Sequence, residues 1–132
     1  MTKFAVFIEP TGNALEFLQR HKRMVEEILP GQPYCAHPPH STLITAPLLT
    51  TKMLSDRLQK AVARIPAFQV AVTGTVVFYD DVQTGGHTIA LAAAGTDDLY
   101  ELQSRVAGVL APFVDRRSIE QEERQFKSKP AA

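Results

Sequence analysis

The sequence has no excess of charge: fourteen Lys and Arg stand against fourteen Asp and Glu. With no net field to gather polyanions or acidic membrane surfaces, any recognition of an anionic ligand has to be local. Only one cysteine is present, Cys35, so an internal disulfide is excluded. Long apolar runs are missing too. The longest stretches, such as residues 89–94, fall far short of the roughly 20 residues that span a bilayer, which excludes a transmembrane segment. Glycines form no phosphate cradle. Gly85-Gly86 sits in a hairpin-like loop, and neither a P-loop nor a dinucleotide fingerprint occurs, so nucleotide-driven and NAD-dependent chemistry have no support. Met1-Thr2-Lys3-Phe4 runs straight into a strand pattern without the apolar core of a signal peptide, and a cytoplasmic protein is expected.

What is present suffices for one domain. Of 132 residues, 45% are apolar and 21% charged, an ordinary soluble balance. Residues 3–8 are rich in β-branched and aromatic side chains and stop at Pro10-Thr11-Gly12, which predicts a buried strand and a turn. Asn13 with Glu16 resembles a capping pair, and Phe17, Leu18, Val25, Ile28 and Leu29 recur at helical spacing, predicting a helix over residues 14–29. Residues 30–39 hold four prolines and form a constrained connector into His40-Ser41-Thr42-Leu43-Ile44-Thr45, a strand expected to end at Pro47. Thr50 or Thr51 is expected to cap a second helix with the stripe Leu54, Leu58, Ala61, Val62 and Ile65.

Residues 68–79, broken by Gly74, and residues 88–93 read as antiparallel strands around a loop over residues 80–86. Thr96 then caps a third helix, with Asp97 and Asp98 in its first turn and Leu99, Leu102, Val106, Val109, Leu110 and Phe113 facing inward, ending near Val114. From Asp115 on, the sequence is almost without apolar partners. The expectation is a single α+β domain over residues 1–114, followed by a polar tail or an interrupted connection over residues 115–132.

His40-Ser41-Thr42-Leu43 is the constellation that stands above background. On a strand, side chains two apart share a face, so His40 and Thr42 are expected to project together while Ser41 points away, which argues against a Ser-His nucleophile pair. An imidazole takes and gives protons near neutral pH, and a hydroxyl donates to a phosphate oxygen, so the pair suits phosphoester chemistry. A locally hydrogen-bonded structural histidine is the alternative reading. His37 and Tyr34 are expected near the mouth of such a site. His87 precedes Thr88 directly, so the two would point to opposite faces of a strand; His87 is taken as a surface or site-lining residue.

Other patterns compete. Cys35, His37 and His40 are three candidate zinc donors within six residues, but a fourth ligand at standard spacing is lacking, and no metal is expected. His21-Lys22-Arg23 and Arg116-Arg117 read as solvated faces. Arg124, Lys127 and Lys129 are candidate contacts to an RNA backbone, weakened by Glu120, Glu122 and Glu123. Tyr34, Phe78 and Tyr79 are candidate base-stacking aromatics, with core packing as the other explanation.

The element order and the tetrad His40-Ser41-Thr42-Leu43 resemble the two-histidine (2H) phosphoesterase superfamily, which includes 2′-5′ RNA ligase-like proteins and 2′,3′-cyclic nucleotide phosphodiesterases. The resemblance covers residues 4–113 by element order, and its specific part is the tetrad, which matches the family's His-x-Thr/Ser-apolar motif. It implies a two-lobed antiparallel-sheet fold with helices packed outside. It implies, too, a metal-independent phosphodiesterase or RNA ligase-like activity on a nucleotide or RNA 2′,3′-cyclic or 2′-5′ phosphodiester. His40 would be one general acid or base, Thr42 a phosphate ligand, and no cofactor would be needed. The family carries the motif twice, whereas residues 115–132 contain no second His-x-Thr, so the last strand is expected to be missing. An open sheet edge would then invite a second copy or a strand-swapped partner. The alternative function is a catalytically silent binding module or a truncated half-enzyme.

Overall fold

The hydrophobic stripes read above become the elements of a computed structural model that describes residues 2–128. In chain order these are β1 (Thr2–Ile8), α1 (Gly12–Ile28), β2 (Ser41–Leu48), α2 (Leu54–Val62), β3 (Val72–Asp81), β4 (Gly86–Ala93), α3 (Asp97–Leu110), a 3-10 turn (Ala111–Phe113) and α4 (Arg116–Ser128). β1 pairs with β2 and β3 with β4, giving an α+β architecture with two small sheets among the described residues. The backbone divides into two compact units. One takes β1 through Val6, residues 42–67 and the chain from Asp97; the other takes residues 7–41 and 68–96.

The first unit holds the well-buried core: Leu43, Ala46 and Leu48 from β2, Leu54 from α2, and Val106 and Leu110 from α3. The stripes of α2 and α3 face inward as their spacing requires. Gln103 Nε2 donates to the Leu43 carbonyl at 2.9 Å, tying α3 to β2. The Arg57 guanidinium lies 5.1 Å from the centre of the Phe113 ring. On the exposed face of α3, Arg105 and Glu101 form an ion pair at 3.2 Å, four residues apart, worth a few tenths of a kcal/mol, or about 0.3–0.5.

One expectation for this unit needs correction. Pro47 does not end β2, which continues to Leu48. A proline lacks the N–H but keeps its carbonyl, and the Pro47 carbonyl accepts from Asp115 N at 2.9 Å while Leu49 N donates to the Phe113 carbonyl at 2.8 Å. These bonds flank an antiparallel bridge between Leu48 and Val114. The polar segment after Asp115 is helical. The Asp115 carboxylate accepts from Arg117 N at 3.1 Å, Ser118 N at 3.4 Å and Ser118 Oγ at 3.1 Å, an N-cap that starts α4. Solvation, which the polar composition implies, does hold: most of α4 is exposed. Lys129 lies outside the described residues.

Capping expectations also shift. Thr11, not Asn13, occupies the cap position of α1, and Met53, with φ of 61°, precedes α2; neither makes a side-chain cap bond. Thr50 instead closes a local turn, its Oγ1 accepting from Lys52 N.

In the second unit, α1 turns a half-buried stripe of Ala14, Leu15, Leu18 and Lys22 inward, and leaves Phe17, Val25, Ile28 and Leu29 exposed. Of the stripe expected from the sequence, Leu18 lies on this inward face, and Phe17, Val25, Ile28 and Leu29 do not. The β3–β4 hairpin is antiparallel, as anticipated, with Thr75↔Leu91, Val76↔Ala90 and Val77↔Ile89 in register. Irregularities fall at Val72/Gly74, where the glycine interrupts the strand pattern, and at Phe78/Asp81. At the tip, Asp81 organises the turn. Its carbonyl accepts from Thr84 N and Gly85 N, and its carboxylate from Gln83 N at 3.0 Å and Thr88 Oγ1 at 2.8 Å. Gly85 has φ of 77° with open space where a Cβ would stand. Gly85→Ala is therefore expected to cost about 1 kcal/mol through backbone strain alone; a thermal-denaturation midpoint equal to that of the parent would contradict this.

Candidate active site

His40 is the last residue before β2, and its position is set by the two prolines in front of it. Pro39 is buried, while His40 is exposed. The Nδ1 of His40 stands 3.1 Å from the Pro38 carbonyl oxygen. A carbonyl only accepts, so in the neutral ring Nδ1 carries the hydrogen and Nε2 keeps the lone pair. The Phe7 ring packs against the imidazole with centroids 4.4 Å apart and planes tilted by 48°. The ring is thus held at Nδ1 and on one face, and the nitrogen left for proton transfer is Nε2. Thr42, two residues along the chain, is an exposed residue of β2.

The other candidates find different places. Tyr34 has φ of 66°, its hydroxyl donates to the Gln83 carbonyl at 3.2 Å, and its ring lies 5.2 Å from that of His37. That makes Tyr34 a strut between the connector and the hairpin turn, in addition to any contact with a ligand. His37 N donates to the Tyr34 carbonyl at 3.2 Å. His87 accepts at Nδ1 from the backbone N–H of Asp80 at 3.1 Å, and its ring meets Tyr79 edge-on with centroids 5.3 Å apart. The irregularity at Phe78/Asp81 puts Asp80 out of ladder register with φ of 51°, and His87 satisfies the N–H released there. Among the described residues, no hydrogen bond or ring contact joins His40 to His37, Tyr34 or His87. Nor, among the described residues, do three His, Cys, Asp or Glu side chains gather as metal ligands, so Cys35, His37 and His40 do not come together as a set.

Two neighbours of the site escaped the sequence reading. Phe7 reads from sequence only as part of a buried strand, and Lys22 only as part of a solvated cluster. The alternation of β1 gives no hint of a ring contact to residue 40. For Lys22, the signal is its spacing, four residues after Leu18 and eight after Ala14, which puts it on the half-buried stripe of α1.

No helix among the described residues is long and apolar enough to cross a membrane. No curated protein and no solved structure matches the chain. A family model does: the one described as the 2′-5′ RNA ligase superfamily matches residues 14–127. This span contains His40-Ser41-Thr42-Leu43, both sheets' later strands and all four helices wholly or nearly so. With most of its length matched and an α+β fold of the expected class, the chain belongs to the 2′-5′ RNA ligase superfamily, of the two-histidine phosphoesterase type.

Proposed function

We propose that the protein hydrolyses or transfers a nucleotide or RNA phosphodiester of the 2′,3′-cyclic or 2′-5′ kind, with His40 as one general acid or base and Thr42 as a phosphate ligand. The observation that carries this reading is the state of His40: an exposed imidazole within the span matched by the superfamily, with Nδ1–H committed to the Pro38 carbonyl and Nε2 left to move a proton. In hydrolysis of a cyclic phosphate, water oxygen bonds to phosphorus as a ribose oxygen leaves. One proton comes off the water and one goes onto the leaving oxygen, and His40 Nε2 is assigned one of those transfers. The Thr42 hydroxyl donates to a non-bridging oxygen, a hydrogen bond to a charged group.

Phosphorus NMR of the parent with a 2′,3′-cyclic nucleotide and, separately, a 2′-5′-linked dinucleotide tests the reading. Conversion of at least one to a phosphomonoester product is expected, and inertness of both contradicts it. Thr42→Val, nearly isosteric, is expected to lower kcat/KM by about ten- to hundredfold, the value of a hydrogen bond to a charged group. A Thr42→Val protein with the parent's kcat/KM would remove Thr42 from the site.

A further inference from the structure

Lys22 looks from sequence like one member of a basic cluster on a solvated helix face, and the structure directs its ammonium onto the proline-rich connector. From the half-buried stripe of α1 its Nζ donates to two backbone carbonyls of the proline-rich connector, Tyr34 at 2.8 Å and His37 at 2.7 Å. Hydrogen bonds from a charged donor are the stronger class. The connector they hold carries a strained residue. Tyr34 has φ of 66°, a left-handed conformation that a bulky side chain seldom adopts.

Beyond the clamp the chain is stiff. His37 supplies the last carbonyl before Pro38-Pro39, each of which has φ fixed near −65° by its ring, and Pro39 also confines the ψ of Pro38 to the extended range. The Pro38 carbonyl then receives His40 Nδ1–H at 3.1 Å. Holding the peptide plane between His37 and Pro38 at one end therefore aims the Pro38 carbonyl at the other. That aim decides which imidazole nitrogen keeps its hydrogen.

We propose that Lys22 is a positioning residue for His40: its clamp on the Tyr34 and His37 carbonyls, transmitted through Pro38-Pro39, holds the imidazole as the Nδ1–H tautomer with Nε2 presented for proton transfer. The consequence for turnover rests on the phosphodiesterase reading; the consequence for the imidazole does not.

Nitrogen-15 correlation spectra of the histidine rings in the parent, Lys22→Met and Lys22→Arg test it, with amide dispersion reporting the fold. The parent is expected to show His40 as the Nδ1–H tautomer, Lys22→Met a mixture of tautomers, and Lys22→Arg, which keeps charged donors, the parent's pattern. With a 2′,3′-cyclic nucleotide, Lys22→Met is expected to lose about tenfold in kcat with KM within about twofold, and Lys22→Arg to recover most of it, because misplacement of a reacting group is read in kcat. An unchanged His40 tautomer in folded Lys22→Met overturns the proposal, whatever the rate. So does a Lys22→Arg protein that resembles Lys22→Met. Should Lys22→Met fail to fold, Lys22→Gln, with one neutral donor group, must show partial loss of the Nδ1–H form, and a parent-like spectrum overturns the proposal there. Should the parent turn over no phosphodiester, the functional reading fails by that result, and the ring spectra alone decide the role of Lys22.

Discussion

His40→Ala is expected to lower phosphodiester turnover by about 10²–10⁴-fold, the range that a positioned general acid or base contributes. The side chain is exposed, and its contacts are a single hydrogen bond to Pro38 and one face against Phe7. Stability should therefore change by no more than about 0.5 kcal/mol, the usual limit for a surface position. His87→Ala is the matched control. Its Nδ1 accepts from the Asp80 N–H, which in the neutral ring puts the hydrogen on Nε2 and leaves no lone pair there to take a proton, so its removal should loosen the hairpin and leave turnover within about threefold of the parent. Steady-state rates and melting curves on the three proteins separate the roles. Equal losses of turnover at His40 and His87, or a His40→Ala protein as active as the parent, would contradict the assignment.

The second large effect is on stability and sits in the other unit. Leu54 is 0% exposed at the first position of α2, within a core of six apolar side chains from β2, α2 and α3 among the described residues. Leu54→Ala removes buried surface and leaves a cavity, at an expected cost of about 2–5 kcal/mol. Against a total folding stability of roughly 5–15 kcal/mol for an ordinary domain, that is a major fraction. Denaturant unfolding should show the midpoint falling with little change in slope, and the melting temperature dropping on the order of 10 °C. Leu54→Met, which keeps the volume, should cost less than about 1.5 kcal/mol. A small effect of Leu54→Ala would mean that the α2 stripe is not a packed surface.

The elements that were legible in the sequence are those whose information is local. The stripes of α2 and α3 predict their buried faces position by position, and Gly74 and the Asp81 to Gly86 turn mark the irregularity and the reversal of the β3–β4 hairpin. What escaped was set by single polar groups whose partners lie elsewhere. Asp115 converts a polar segment into α4 by accepting three hydrogen bonds, an effect that overall composition hides. Pro47 stays inside β2 because the strand uses its carbonyl, and proline is read as a breaker for its missing N–H.

The site divides the same way. His40 before a strand is legible from the prolines that precede it and the β-branched run that follows. Its tautomer is not, because that depends on where the Pro38 carbonyl points. The half-buried face of α1 differs from the expected one because the amphipathic pattern favours Phe17, Val25 and Ile28 beside Leu18, whereas Ala14 and Leu15 join Leu18 on the inward stripe, which carries Lys22 to the connector. A bond between residues 12 and 15 positions apart has no sequence period to reveal it.

The most direct test of the account is the initial rate at which the parent protein opens a 2′,3′-cyclic nucleotide, measured with and without a strong chelator. Proton transfer by imidazole needs no added ion, so the account predicts turnover at the same rate in both. A well-folded protein that leaves the cyclic phosphate intact, or one whose turnover stops when the chelator is added, would contradict it.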